Sequence, residues 1–94
     1  MPPDEDTAWP VIWTGEAKRS LRHIPPRLLP AVLNFASERL AGNPLRTTHA
    51  LREPLDRYRS ATVGSFRVLA QLDTRTRTVN IVKVAYHADV YRPL

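Results

Sequence analysis

Three side chains in the last third of the chain have the chemistry needed to act on a phosphodiester. Arg67 lies in a strand-like segment just after Gly64-Ser65, and His87 and Tyr91 follow the next strand-like segment. A guanidinium binds phosphate, while an imidazole or a phenol can donate or accept a proton. The grouping of a cation with two proton-transfer groups therefore indicates a site that handles a phosphodiester.

To cleave RNA without a metal ion, such a site must supply a base, an acid and positive charge. The 2′-OH of the substrate attacks phosphorus, so a base must take its proton and an acid must protonate the departing 5′-oxygen. Cations must neutralise the crowded phosphorane. The chain has no cysteine and only three, widely spaced histidines, so we predict no metal site and no other cofactor. Arginine, histidine and tyrosine are then the candidates for these roles.

The charge balance favours a polyanionic partner. The 94 residues carry a formal net charge of +5, from 14 Lys plus Arg against 9 Asp plus Glu, and Lys18 and Lys83 are the only lysines. Arginine binds phosphate through a planar fork and stacks on bases, so an arginine-rich small domain suits a nucleic acid. A genome rich in G and C also enriches arginine, and composition alone does not separate these explanations.

Length and composition predict a single domain. Residues 1–8 are acidic and proline-rich, so we predict a disordered tail there and assign residues 9–94 to one domain. No apolar run reaches the length of a membrane span, and the acidic start is unlike a signal peptide. We therefore expect a cytoplasmic protein with no membrane partner.

Apolar periodicity predicts two helices and four strands. Ala17, Leu21 and Ile24 recur at helical spacing, whereas apolar and polar residues alternate over residues 66–73 as in a strand. Gly64-Ser65 fits a two-residue hairpin turn of the Gly-X kind. The predicted helices cover residues 16–24 and 28–41, the predicted strands cover residues 8–13, 58–63, 66–73 and 78–85, and residues 43–56 are predicted to be a loop.

This β-α-α-β-β-β order predicts an α+β fold. We expect the two helices to pack on one face of a four-stranded, mainly antiparallel sheet, because each helix has one apolar stripe to bury. The other face of the sheet is then free for a ligand.

Five short motifs, in this order along the chain, resemble the RelE/ParE superfamily of toxin–antitoxin toxins. They are Thr14-x-Glu16-Ala17, Ile24-Pro25-Pro26, Asn43-Pro44, Gly64-Ser65-Phe66-Arg67-Val68-Leu69 and His87-Ala88-Asp89-Val90-Tyr91-Arg92. The resemblance covers residues 9–92 and is closest to the RelE branch. It implies a small barrel-like sheet flanked by two helices, and an endonuclease that cuts mRNA in the decoding site of the ribosome. It also implies a cognate antitoxin that wraps and inhibits the toxin, with operator DNA bound only through that complex.

The resemblance also implies roles for individual residues. Arg67 matches the strand arginine that stabilises the transition state, and Tyr91 matches the C-terminal tyrosine that transfers a proton or stacks on the substrate base. His87 stands where RelE toxins commonly have a second arginine. Four further basic residues are predicted to contact RNA phosphates: Arg57, Arg59, Lys83 and Arg92.

The sequence departs from the RelE pattern on the strand before the hairpin. The family has a dense run of Lys and Arg there, whereas residues 58–63 contain one basic residue, Arg59. Phe66 replaces a common tyrosine, and His87 is a more conventional acid or base than arginine. The site is therefore either rewired or degenerate.

Three functions are compatible with these residues. The grouping of Arg67, His87 and Tyr91 favours a ribosome-dependent mRNA endonuclease that inhibits translation. The reduced charge of the strand before the hairpin favours a ParE-like inhibitor of DNA gyrase. A catalytically degenerate toxin that only binds its antitoxin is the third possibility.

Overall fold

A computed structural model describes residues 8–88 of the chain. Residues 1–7 of the predicted tail, Tyr91 and Arg92 lie outside this range. In chain order the strands are β1 Val11–Trp13, β2 His49–Ala50, β3 Arg59–Val63, β4 Phe66–Asp73 and β5 Thr78–Tyr86. The helices are α1 Gly15–Leu21, α2 Leu29–Asn34 and α3 Pro44–Thr47, with a 3-10 turn Pro26–Leu28 before α2 and a π-helical continuation Phe35–Leu40 after it.

These strands form one five-stranded sheet in the order β1-β5-β4-β3-β2. Neighbours from β2 to β5 pair antiparallel, and β1 pairs parallel with β5. The predicted α+β class and mainly antiparallel sheet are confirmed, but the predicted number of four strands was wrong. The additional strand, β2, is two residues long, and such a short segment shows no alternation. Only its pairing with β3 defines it.

The segment predicted as a loop, residues 43–56, contains α3 as well as β2. The Asn43 side chain accepts a hydrogen bond from the Arg46 amide at 3.4 Å, and Pro44 lies in the first turn. Both features are local signals for the start of a helix. The loop prediction was wrong for α3 because four residues are too few to show a helical period.

Helix α1 is fixed to the sheet through its N-cap residue, Thr14. The hydroxyl of Thr14 caps the helix by accepting from the Ala17 amide at 3.2 Å, and it also donates to the Ile81 carbonyl at 2.9 Å. The helix ends at Leu21, three residues earlier than predicted. The prolines at positions 25 and 26 disfavour further helix, because the residue before a proline is pushed to extended backbone.

The second predicted helix, residues 28–41, is present but is not uniform. It is α-helical in α2 and widens into a π-helical turn from Phe35 to Leu40. This turn keeps Phe35, Ala36 and Leu40 buried against the sheet. No helix within residues 8–88 is long and apolar enough to cross a membrane.

The core lies between the helices and one face of the sheet. Its buried members come from both layers and include Ala17, Val32, Phe35, Leu40, Val68, Ala70, Val79 and Ile81. Phe66, Val68 and Ala70 alternate along β4 in this cluster, so the residues between them lie on the opposite face. We call that opposite side, away from the helices, the second face.

A register shift in β5 changes which of its residues lie on the second face. Ala70 pairs with Ile81, but Leu69 pairs with Lys83, so Val82 has no partner on β4. This extra residue is a β-bulge. The alternation is therefore reset, and Lys83 lies on the second face although Ile81, two residues earlier, is in the core.

Candidate functional site

Arg67 lies on the second face, on the central strand of the sheet. It lies on β4 directly after the β3–β4 hairpin, where Gly64 has a φ of 58° as expected for the Gly-X turn. Its cross-strand partners are Thr62 on β3 and Ala85 on β5. Paired residues in an antiparallel ladder share a face, so Arg67 is flanked on both sides by small side chains that leave room above it.

Two of the other candidates, Lys83 and His87, lie diagonally across from Arg67 on the β5 side. Lys83 is two residues before Ala85 and pairs with Leu69. His87 is two residues after Ala85, and its amide donates to the Ser65 carbonyl at 3.1 Å, which continues the pairing past the end of β5. Diagonal neighbours in such a ladder are about 7–8 Å apart, which is within reach of long side chains. The register therefore places Lys83 and His87 on either side of Ala85, the cross-strand partner of Arg67.

These three residues differ in exposure in a way that suits a binding site. Lys83 is only 5% exposed, Arg67 is half-buried, and His87 is exposed at the rim beside the hairpin. Positive charge at a partly desolvated position attracts an anion more strongly than the same charge in water. The half-buried guanidinium of Arg67 can therefore bind a phosphate while the imidazole of His87 approaches from solvent.

Arg59 is not part of this group. It pairs with Ala70, so it lies on the helix side of the sheet. Its Nε donates to Thr48 Oγ1 at 2.7 Å, and one terminal nitrogen donates to the Thr48 carbonyl at 3.0 Å. The guanidinium is thus bound to the segment after α3, and the phosphate contact predicted for Arg59 stays a prediction.

The remaining predicted contacts are less closely defined by the structure. Arg57 is exposed in the segment just before β3. Tyr91 and Arg92 lie outside the described residues, so their roles remain predictions. Among residues 8–88, no group of three or more His, Cys, Asp or Glu side chains is arranged to hold a metal ion.

Sequence reasoning missed Ser60. This residue on β3 is fully buried and pairs with Leu69, which in turn pairs with Lys83 on the other side. Ser60 therefore shares the second face with Arg67 and Lys83. A signal for it was available, since Ser60 and Thr62 alternate with Ala61 and Val63, as expected for a strand with one polar face.

Comparisons with known proteins identify the family of this chain. The family model described as the ParE toxin of the type II toxin–antitoxin system parDE matches residues 11–91. Toxin RelG of Mycobacterium tuberculosis is 42% identical over 82 residues, covering 87% of this chain and 94% of that protein. Toxin RelE of the same organism is 31% identical over 88 residues, covering 94% of this chain and 91% of that protein.

A solved structure of a related protein has the same fold. A RelBE toxin–antitoxin complex from Mycobacterium tuberculosis contains a chain that is 38% identical and superposes with a TM-score of 0.82. The match covers 88% of this chain and 95% of that chain. The protein belongs to the RelE/ParE family of type II toxin–antitoxin toxins. Its relatives place it with the toxins of RelBE-type systems.

Proposed function

We propose that this toxin cleaves mRNA on the ribosome and thereby inhibits translation. The observation that carries the proposal is the placement of Arg67, Lys83 and His87 on one face of the sheet, with Arg67 at the centre. The RelE and RelG names of its relatives support the same branch of the family. A site of action on the ribosome would place the toxin in the cytoplasm.

Arg67 stabilises the transition state in this proposal. As the 2′-oxygen attacks phosphorus, negative charge accumulates on the non-bridging oxygens of the phosphorane. The planar guanidinium can donate two parallel hydrogen bonds to those oxygens. The half-buried position of Arg67 strengthens each hydrogen bond, because water competes less for the same groups.

His87 and Tyr91 divide the two proton transfers. One group takes the proton from the 2′-OH while the new P–O2′ bond forms, and the other protonates the 5′-oxygen as the P–O5′ bond breaks. The products are a 2′,3′-cyclic phosphate and a 5′-OH end. His87 is supported for this task by its place at the solvent-exposed rim two residues beyond Ala85.

Lys83 holds the scissile phosphate or its neighbour, and Arg57 and Arg92 contact the flanking RNA backbone. A buried lysine on the site face is a compact positive charge that Arg67 alone would not supply. This lysine comes from β5, whereas the basic residues of the family are concentrated on the strand before the hairpin. The proposal is therefore that the site is rewired and active.

The proposed partners are a cognate antitoxin, the ribosome and mRNA. The RelBE complex is a toxin bound to its antitoxin, which supports an antitoxin for this chain. Because the toxin is cationic, we expect complex formation to weaken as salt is raised. Contact with operator DNA is expected only through the toxin–antitoxin complex.

A cleavage assay on defined ribosome complexes tests the function directly. Purified toxin is added to ribosomes stalled on a short mRNA with an empty decoding site, and RNA 5′ ends are mapped. We expect new 5′-OH ends in the decoding site with the wild-type protein and far fewer with Arg67→Ala. Intact mRNA with folded wild-type toxin would reject the proposal.

The ParE description of the matching family model supports inhibition of DNA gyrase as a second candidate. Supercoiling by purified gyrase and the amount of trapped gyrase–DNA breaks measure this activity. Inhibition of gyrase without mRNA cleavage would establish the second candidate. Absence of both activities would indicate a toxin that only binds its antitoxin.

A further inference from the structure

Two buried polar atoms on the second face lack hydrogen-bond partners among residues 8–88. They are the Nε of Arg67 and the Oγ of Ser60. Each is shielded from solvent, so neither atom is compensated by water. A buried polar group without a partner is costly, and in a native protein it requires a reason.

The two atoms are complementary and lie close in the ladder. Arg67 pairs with Thr62, and Ser60 is two residues earlier on the same strand, so Ser60 is a diagonal neighbour of Arg67. Nε of arginine carries one N–H and can only donate, whereas a serine hydroxyl can accept. Diagonal neighbours are about 7–8 Å apart, which is within reach of a long side chain such as arginine.

We propose that Ser60 is a positioning residue for Arg67, which accepts a hydrogen bond from Nε–H when the guanidinium binds a phosphate. The terminal nitrogens of arginine form the fork that faces two phosphate oxygens. When the two terminal nitrogens bind the phosphate, Nε–H does not contact it and can donate a hydrogen bond to the protein instead. The Ser60 hydroxyl would then fix the plane of the guanidinium relative to the phosphorus.

This inference rests on the proposed function for its catalytic consequence, and it explains why a buried serine occurs at this position. Alanine would fill the same place in β3 without burying an unpartnered hydroxyl. The hydroxyl is unfavourable in the ligand-free protein and becomes favourable only when Arg67 is drawn into place. The Ser60 hydroxyl therefore stabilises the phosphate-bound state and destabilises the ligand-free state.

The first test is a double-mutant cycle measured by mRNA cleavage on stalled ribosomes. Ser60→Ala should lower kcat by about tenfold to one-hundredfold, the value of one hydrogen bond to a charged group, with little change in KM. Ser60→Thr keeps the hydroxyl and should recover most of the rate. In the Arg67→Lys background, which lacks the Nε–H donor and the fork, Ser60→Ala should have no further effect.

Thermal unfolding separates this role from a structural one. Because the hydroxyl has no partner within the described chain, Ser60→Ala should leave the melting temperature unchanged or raise it. Ser37→Ala serves as the matched control, since Ser37 is an exposed serine on the helical layer, and it should change neither kcat nor the melting temperature. A lower melting temperature with the same fractional loss of rate in both Arg67 backgrounds would overturn the positioning role.

A readout independent of cleavage separates failure of this inference from failure of the proposed function. Inorganic phosphate is titrated into the free ¹⁵N-labelled toxin, and the exchange rate of the Arg67 Nε–H proton is followed by NMR. We expect phosphate to slow exchange in the wild type and not in Ser60→Ala. That result without mRNA cleavage would reject the endonuclease and keep the inference. Normal cleavage by Ser60→Ala, or equal exchange rates in the two proteins, would reject the inference alone.

Discussion

The hydroxyl of Ser20 on α1 accepts a hydrogen bond from the backbone amide of Val84 on β5 at 3.0 Å. Strand β1 ends at Trp13, opposite Ile81, so within residues 8–88 no strand lies beside the outer edge of β5 at Val84. Ser20 takes the place of that missing strand, and it also donates to the Ala17 carbonyl at 2.6 Å. Lys83, a proposed phosphate contact, is adjacent to Val84, so this hydrogen bond holds the part of β5 that carries Lys83.

Ser20→Ala should destabilise the fold. The substitution leaves the buried Val84 amide without an acceptor, which costs about 1–3 kcal/mol of unfolding free energy. Urea unfolding measures the loss. Ser37→Ala provides the exposed-serine comparison and should fall within about 0.5 kcal/mol of the wild type. Equal stabilities for the two variants would show that water replaces the Ser20 hydroxyl.

Arg67→Ala should slow mRNA cleavage by about two to three orders of magnitude, the usual loss for one preorganised transition-state donor. Arg67→Lys should recover little, because a point charge cannot form the two parallel hydrogen bonds of the fork. Single-turnover cleavage on stalled ribosomes provides the rates. Arg27→Ala is the control, since Arg27 is exposed on the helical side of the molecule. Equal rates for Arg67→Ala and Arg27→Ala would remove Arg67 from the mechanism.

His87→Gln should slow cleavage by about two to four orders of magnitude if the imidazole transfers a proton. Single-turnover cleavage on stalled ribosomes measures the rates, and Arg27→Ala is again the exposed control that should match the wild type. A wild-type rate in His87→Gln would assign the proton transfer to another group.

Arg59→Met should affect stability and not catalysis. It removes the two hydrogen bonds from the guanidinium to Thr48, at 2.7 and 3.0 Å, that connect β3 to the segment after α3. Each hydrogen bond of a charged group contributes about 1.5–3 kcal/mol, so we expect the unfolding free energy to fall by at least that amount. Cleavage by the folded variant should stay near the wild-type rate. A large loss of rate at unchanged stability would instead support the phosphate contact that the sequence suggested.

The turn between β4 and β5 should lose stability in acid. The amide of Thr76, together with that of Arg75, donates to the Asp73 carboxylate and holds its pKa below the ordinary value. A lowered pKa in the folded state stabilises the protein above the unfolded pKa of about 3.9, and this contribution disappears as the pH falls through the folded value. Asp73→Asn keeps an acceptor but does not titrate. Its unfolding free energy should therefore fall less steeply than that of the wild type below about pH 4.

Local pattern in the sequence was enough to predict the main elements. The spacing of Ala17, Leu21 and Ile24 indicated α1, and the alternation along residues 66–73 placed Arg67 on the face opposite Phe66 and Val68. Gly64 indicated the hairpin that precedes Arg67. These features depend on residues close together in the chain, so a sequence read alone contains them. The family motifs have the same local character.

Pairing between distant residues decided the rest. An unbroken alternation would have placed Lys83 in the core with Val79 and Ile81, and only the bulge at Val82 moves it to the face of Arg67. Arg59 was predicted as a phosphate contact, but its partner Thr48 lies 11 residues away, and Ser20 finds Val84 across 64 residues. Strand register and edge contacts depend on which segments meet in space. The sequence therefore determined which side chains could do the chemistry, and the tertiary structure decided which of them share a face.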